Sequence, residues 1–93
     1  MEENKILERA LDAYGVDAQL VVCIEEMSEL TKELCKAFRG KENEDAIAEE
    51  IADVEIMLQQ MILAFGLEAK TDEWWRRKLE RLEQRLDAAE RRA

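Results

Sequence analysis

No proline interrupts this chain of 93 residues, and only three glycines do, Gly15, Gly40 and Gly66. Proline breaks a helix from inside by removing a donor and colliding with the preceding turn, and glycine is the residue that most often ends one. Between these marks the strong helix formers Ala, Leu, Glu, Lys, Arg, Gln and Met dominate. The chain is therefore expected to be all-α, with four helical stretches divided by three glycine stops.

Apolar periodicity gives each stretch a face. The first runs from about Glu3 to Ala13 with Ile6, Leu7, Ala10 and Leu11 as its stripe. The second runs from Asp17, an expected N-cap, to Phe38, and is expected to bury Leu20, Ile24, Met27, Leu34 and Phe38. The third runs from near Asn43 to Phe65, with Ile47, Ile51, Val54, Leu58, Met61, Ile62 and Phe65 as the expected core face. The brief connection from Arg39 to Glu42 predicts that these two long helices form an antiparallel hairpin. The fourth is expected to open at Thr71 as N-cap. It carries Trp75, Leu79, Leu82, Leu86 and Ala89 at alternating steps of four and three, a coiled-coil-like seam.

No linker composition appears, so residues 1–93 are expected to form one domain, an antiparallel bundle of about four helices. A monomer of this size buries only roughly 60 to 65% of its unfolded surface, and self-association is a natural way to complete the core. A net charge of -9 argues against nonspecific binding to nucleic acid or an anionic membrane, since both need a dense basic surface. An anionic substrate would need a cation as mediator. No apolar run approaches the ~20 residues of a membrane span, and the opening Met-Glu-Glu-Asn-Lys lacks the regions of a signal peptide, so a cytoplasmic location is expected.

With no histidine and two cysteines, Cys23 and Cys35, twelve residues apart in one expected helix, soft-metal sites and His-dependent nucleophilic catalysis lack their ligands and bases. On a continuous helix the two thiols lie about 18 Å apart along the axis, far beyond disulfide reach. Carboxylates remain the abundant chemistry, with 23 Asp and Glu.

Two acid pairs stand out, Glu26/Glu29 in the second helix and Glu50/Asp53 in the third. Spacing of three puts both members on one side of a helix, a turn apart, and an antiparallel hairpin lets the four converge. The same spacing recurs at Glu80/Glu83 and Glu42/Asp45. Neighbours help to separate the cases: Glu80 has Arg76 and Arg77 within one turn, whereas Glu26, Glu50 and Asp53 have apolar or acidic neighbours; against this division, Glu29 has Lys32 and Glu83 has no basic neighbour. Clustered carboxylates beside apolar residues repel and lose hydration, and a hard divalent cation offsets both costs. Mg²⁺ fits best, with Mn²⁺ as the alternative, because Mg²⁺ takes oxygen ligands and bridges to phosphates.

The stretch Ile24-Glu25-Glu26-Met27-Ser28-Glu29-Leu30, twenty residues between Glu29 and Glu50, and then Glu49-Glu50-Ile51-Ala52-Asp53-Val54 resemble the signature of the all-α nucleotide pyrophosphohydrolases, the MazG and dimeric dUTPase superfamily. The resemblance covers Gln19 to Phe65 strongly and the fourth helix weakly. It implies Mg²⁺-dependent hydrolysis of a nucleoside triphosphate to the monophosphate and pyrophosphate. It also implies that Glu26, Glu29, Glu50 and Asp53 are metal ligands and catalytic residues, and that the chain is a homodimer or homotetramer. Lys78 and Arg81, with Arg85, are the expected phosphate contacts, weighed against a solvated basic face. Gln19 is the expected contact to a base edge, and Trp74 or Trp75 could stack on the base, weighed against core or interface packing. A different class, a noncatalytic helical interaction module using the Trp75/Leu79/Leu82/Leu86 seam, is the alternative. A di-iron or di-manganese carboxylate bundle ranks last, since such sites usually include histidine.

Overall fold

The computed structural model describes residues 2–92 and contains four helices: α1 (Glu3–Tyr14), α2 (Val16–Phe38), α3 (Glu44–Phe65) and α4 (Glu68–Arg92). The fold is an all-α bundle, as the helix-forming composition requires. Gly15 alone joins α1 to α2, at φ 88°, a conformation costly for any residue with a Cβ. After α3, Gly66 adopts the left-handed conformation and Leu67 N–H donates to the Ile62 carbonyl at 2.9 Å, which closes the helix end.

Two start signals act differently from their sequence expectation. Val16 precedes Asp17 in α2, so Asp17 lies in the first turn, where its charge complements the helix dipole, and Gly15 occupies the cap position. Helix α4 begins at Glu68, and Thr71 sits inside it with its hydroxyl donating to the Leu67 carbonyl at 2.6 Å. A threonine hydroxyl bonded back to the i−4 carbonyl is compatible with a helix interior, so it does not mark a boundary.

Helices α2 and α3 form the main pairing, α1 packs against both, and α4 touches only α3. Along α2 the series Gln19, Cys23, Glu26, Leu30, Glu33 and Ala37 is turned from solvent, with Leu20 and Val22 half-buried beside it; along α3 the series is Ala46, Glu50, Asp53, Met57, Gln60 and Ala64, with Ile47, Val54, Met61 and Ile62 buried or half-buried beside it. Both series advance by alternating fours and threes, so each is a continuous seam. The expectation for the core faces holds in part: Leu20 of α2 and Ile47, Met61 and Ile62 of α3 are half-buried and Val54 is buried at 8% exposure. For the rest it needs correction. Ile24, Met27, Leu34 and Phe38 of α2 are exposed, Phe38 at 93%, as are Ile51, Leu58 and Phe65 of α3. The hairpin interface is half polar, and only part of each apolar stripe looks outward.

Register is fixed at one end of this seam by Gln19, whose amide nitrogen donates to the Gln60 side-chain oxygen at 2.7 Å. Both residues are buried, Gln19 at 7% and Gln60 at 3% exposure. At the other end, the Asn43 amide donates to the Glu33 carbonyl and carboxylate, each at 3.0 Å, and Lys36 pairs with the same carboxylate at 2.9 Å. Asn43 and Lys36 hold the Glu33 carboxyl below its ordinary range, the Asn43 hydrogen bond contributing most. Replacing Gln60 with Leu should cost about 1–3 kcal/mol, read from the urea midpoint, because the buried Gln19 amide loses its partner. Replacing both glutamines with Leu should recover most of that loss; an unchanged midpoint in Gln60→Leu would mean that the pair does not hold the register.

The accessible surface is 7732 Å², against roughly 5,600 Å² expected for a compact monomer of this mass. The radius of gyration is 16.9 Å, against about 12 Å expected for a compact chain of this length. Much of the difference comes from α4, every described residue of which is exposed.

Candidate metal centre

The register set by Gln19 and Gln60 also positions the acids. Seven residues on from Gln19 is Glu26, and seven back from Gln60 is Asp53, so the two carboxylates meet across the antiparallel seam two turns away from the amide pair. Glu50, one turn before Asp53 on α3, completes a group of three: one carboxylate oxygen each from Glu26, Glu50 and Asp53 lies within 4.8 Å of the others. All three side chains are partly buried, in the seam itself and not beside it.

No cation balances them. Among the described residues the ion pairs are Lys5 with Glu2, Lys36 with Glu33 and Arg77 with Glu73, and none reaches this group. Burial raises the Glu26 carboxyl above its ordinary range, and the charge of Asp53 together with a hydrogen bond to it adds to the effect. Burial is likewise the main cause of the raised Glu50 carboxyl, followed by the charges of Asp53, Glu26, Glu29 and Glu49. Oε2 of Glu50 is buried and without a hydrogen-bond partner. A carboxylate oxygen enclosed, unpartnered and facing two further carboxylates is the donor arrangement that a hard divalent cation satisfies.

The structure thus brings together three of the four acids expected to share a metal. Glu29 lies one turn beyond Glu26 and is exposed; it is near enough for its charge to raise both Glu26 and Glu50 but stands outside the close group. Lys32 forms no ion pair with it among the described residues. Gln19 is not brought to the acids: its buried amide is committed to Gln60, about 10 Å along α2 from Glu26. Lys78, Arg81 and Arg85 are exposed on α4, which packs only on α3, and none forms an ion pair with the acid group. Trp74 lies under two cations of its own helix, Arg77 at 5.2 Å and Lys78 at 5.8 Å, and Trp75 is 67% exposed. Cys23 and Cys35 are free thiols on one unbroken helix, the first buried and the second exposed.

Sequence reasoning missed the polar anchors on either side of the acids, Gln60 and the Glu33/Asn43 pair. Their signal was present, since Glu33 continues the seven-residue series from Gln19 through Glu26, and Gln60 continues it from Asp53. Comparison with protein-family models, with curated proteins and with solved structures finds no match. Among the described residues no helix is long and apolar enough to cross a membrane.

Proposed function

We propose that this chain is a Mg²⁺-dependent nucleotide pyrophosphohydrolase of the MazG-like kind, cytoplasmic and working as a homodimer or homotetramer, that cleaves a nucleoside triphosphate to the monophosphate and pyrophosphate. The observation that carries the proposal is the carboxylate trio with its orphaned Glu50 oxygen, a site that in the absence of a cation only costs stability. Glu26, Glu50 and Asp53 would hold the ion, with Mn²⁺ as an alternative occupant. The bound ion supplies positive charge against the triphosphate and the departing pyrophosphate, a role no side chain near the acids fills.

The chain's own contribution is placement and proton transfer. Helices α2 and α3 fix three ligands on rigid backbone, so the site needs little ordering when substrate arrives. Glu29, exposed and free of an ion pair, is the group placed to take the proton of the attacking water as its oxygen bonds the α-phosphorus and the bond to the pyrophosphate oxygen breaks. Within one chain α4 does not reach the acids, so Lys78 and Arg81 serve the triphosphate only if a second chain supplies them. The excess exposed surface, with apolar stripes on α2 and α3, supports such an assembly.

The test is pyrophosphate release from a panel of ribo- and deoxynucleoside triphosphates, with Mg²⁺ and then with EDTA. Metal-dependent release is the expected result. The second reading, a noncatalytic interaction module, has the exposed apolar stripes in its favour. It gains if no triphosphate is cleaved and Mg²⁺ leaves the melting temperature unchanged.

A further inference from the structure

Helix α4 stands apart from the rest of the chain in charge as well as packing. It carries eight basic and seven acidic residues, whereas the chain before it carries six basic and sixteen acidic ones. Its apolar residues form one stripe, and Trp75, Leu79, Leu82 and Leu86 are all about half exposed or more. In heptad terms Leu79 and Leu86 occupy a, and Trp75, Leu82 and Ala89 occupy d. The positions flanking this seam are then sharply divided: g holds Lys78, Arg85 and Arg92, and e holds Arg76, Glu83 and Glu90.

Flanking charges decide which helix meets such a seam and in which direction. In a parallel, in-register pair each g residue faces the e residue five positions later on the other helix. Lys78 then meets the partner's Glu83, and Arg85 meets the partner's Glu90; both contacts occur twice by symmetry and every one is attractive. Antiparallel order instead sets g against g and e against e. Lys78 then faces the partner's Arg85, a repulsion that offsets the attraction of Arg76 for the partner's Glu83. We infer that α4 is a parallel pairing helix whose partner is α4 of a second copy of this chain.

Three further observations agree. The accessible surface exceeds the compact expectation by about 2,100 Å², more than the roughly 800 Å² each subunit gives to a standard interface. Among the described residues α4 has one ion pair, Arg77 with Glu73, both outside the flanking positions, so Arg85, Glu83 and Glu90 are uncommitted. Trp75 also lines an open cleft of about 660 Å³ with Ile6, Leu7, Ile56 and Leu58, so the seam runs into apolar surface of α1 and α3. Since the seam spans only about two and a half heptads, pairing belongs to the full chain and not to α4 alone. The inference does not depend on the metal centre, none of whose residues lies in α4. It assigns Lys78 to the partner's Glu83, leaving Arg81, at position c, as the cation free for other work.

The experiment is a cross-link on the full chain. Ala89→Cys in a Cys35→Ala background leaves buried Cys23 as the only other thiol. Parallel pairing puts the two introduced thiols side by side, whereas antiparallel pairing leaves them about 15–25 Å apart, far outside disulfide reach. Mild oxidation should give a covalent dimer. Adding Lys78→Glu and Arg85→Glu should lower the linked fraction roughly ten-fold by facing Glu with Glu, and adding Glu83→Lys and Glu90→Lys as well should restore it. Glu83→Lys with Glu90→Lys alone creates the same repulsion from the other side and should also lower it, with helicity followed by circular dichroism throughout. No link at Ala89→Cys, or a linked fraction indifferent to these charge changes, would overturn the inference.

Discussion

Glu50→Gln is expected to lower turnover on the order of a thousand-fold, and at the same time to make the metal-free protein more stable. The two effects have one cause. Glu50 is raised above the ordinary carboxylate range by burial and by four neighbouring negative charges, and one of its oxygens has no partner. Removing the charge relieves both costs without changing side-chain volume, and the new amide can donate to Glu26 or Asp53. The loss falls on the bound cation, which gives up one of three close carboxylates. A thermal melt without metal should therefore shift upward in the variant while the Mg²⁺-induced rise seen in the parent disappears. Glu80→Gln removes the same charge from exposed α4 and should stay within about 0.5 kcal/mol of the parent. If Glu50→Gln retained full turnover, or kept the parent's response to Mg²⁺, Glu50 would not be a ligand.

A gain in stability on deleting a buried acid distinguishes a site held open for a ligand from a structural polar group. Glu33 makes the comparison, because it is as buried as Gln19 but anchored by Asn43 and Lys36, and its carboxyl is held low instead of high. Two turns apart on the same seam of α2, Glu26 and Glu33 thus have opposite electrostatics. The difference lies in what α3 and the connection before it place opposite each: Asp53 and Glu50 face Glu26, while Asn43 reaches Glu33.

That contrast marks how far the sequence could be followed. Helix existence was legible because propensity, glycine placement and the absence of proline all agree, and α1, α2 and α3 end within one residue of where the pattern puts them. Pairing of α2 with α3 followed from a brief connection of the kind that joins antiparallel neighbours in helical bundles. The convergence of Glu26, Glu50 and Asp53 followed from i, i+3 spacing on two helices so paired. The assignment of faces succeeded only in part: it held for Leu20, Ile47, Val54, Met61 and Ile62 and failed for Ile24, Met27, Leu34, Phe38, Ile51, Leu58 and Phe65. Periodicity tells which residues share a side of a helix, but not whether that side meets its own chain or another one. Ile24, Met27 and Leu34 continue a sound apolar stripe from half-buried Leu20, yet they are exposed, and the seam toward α3 is the mixed series next to them. A rule that sends apolar residues to the core presumes that one chain encloses them all, and this chain leaves a surface far above the compact value.

The second large effect is an opposite pH dependence of stability with and without Mg²⁺. A carboxyl whose pKa is raised in the folded state contributes stability in full below its unfolded pKa and loses it as pH climbs through the folded one. Glu26 and Glu50 are both of this kind, so the metal-free protein should become less stable as pH rises from the ordinary carboxylate range toward neutrality. Glu33, with its lowered carboxyl, works the other way: its contribution is present above the ordinary range and fades as pH falls through the folded value, which sets a stability decline on the acid side. A cation binds only the deprotonated acids and must displace whatever protons remain, so stabilisation by Mg²⁺ should grow over the same interval in which the metal-free protein weakens. At a Mg²⁺ concentration one hundred times its dissociation constant the gain approaches about 2.7 kcal/mol once the site is fully ionised. Melting curves at stepped pH, with EDTA or with Mg²⁺, should diverge as pH rises, and in Glu50→Gln the divergence should collapse. Parallel curves in the parent would mean that the trio does not bind the ion, whereas divergence that survived in Glu50→Gln would place the cation elsewhere on this acidic chain.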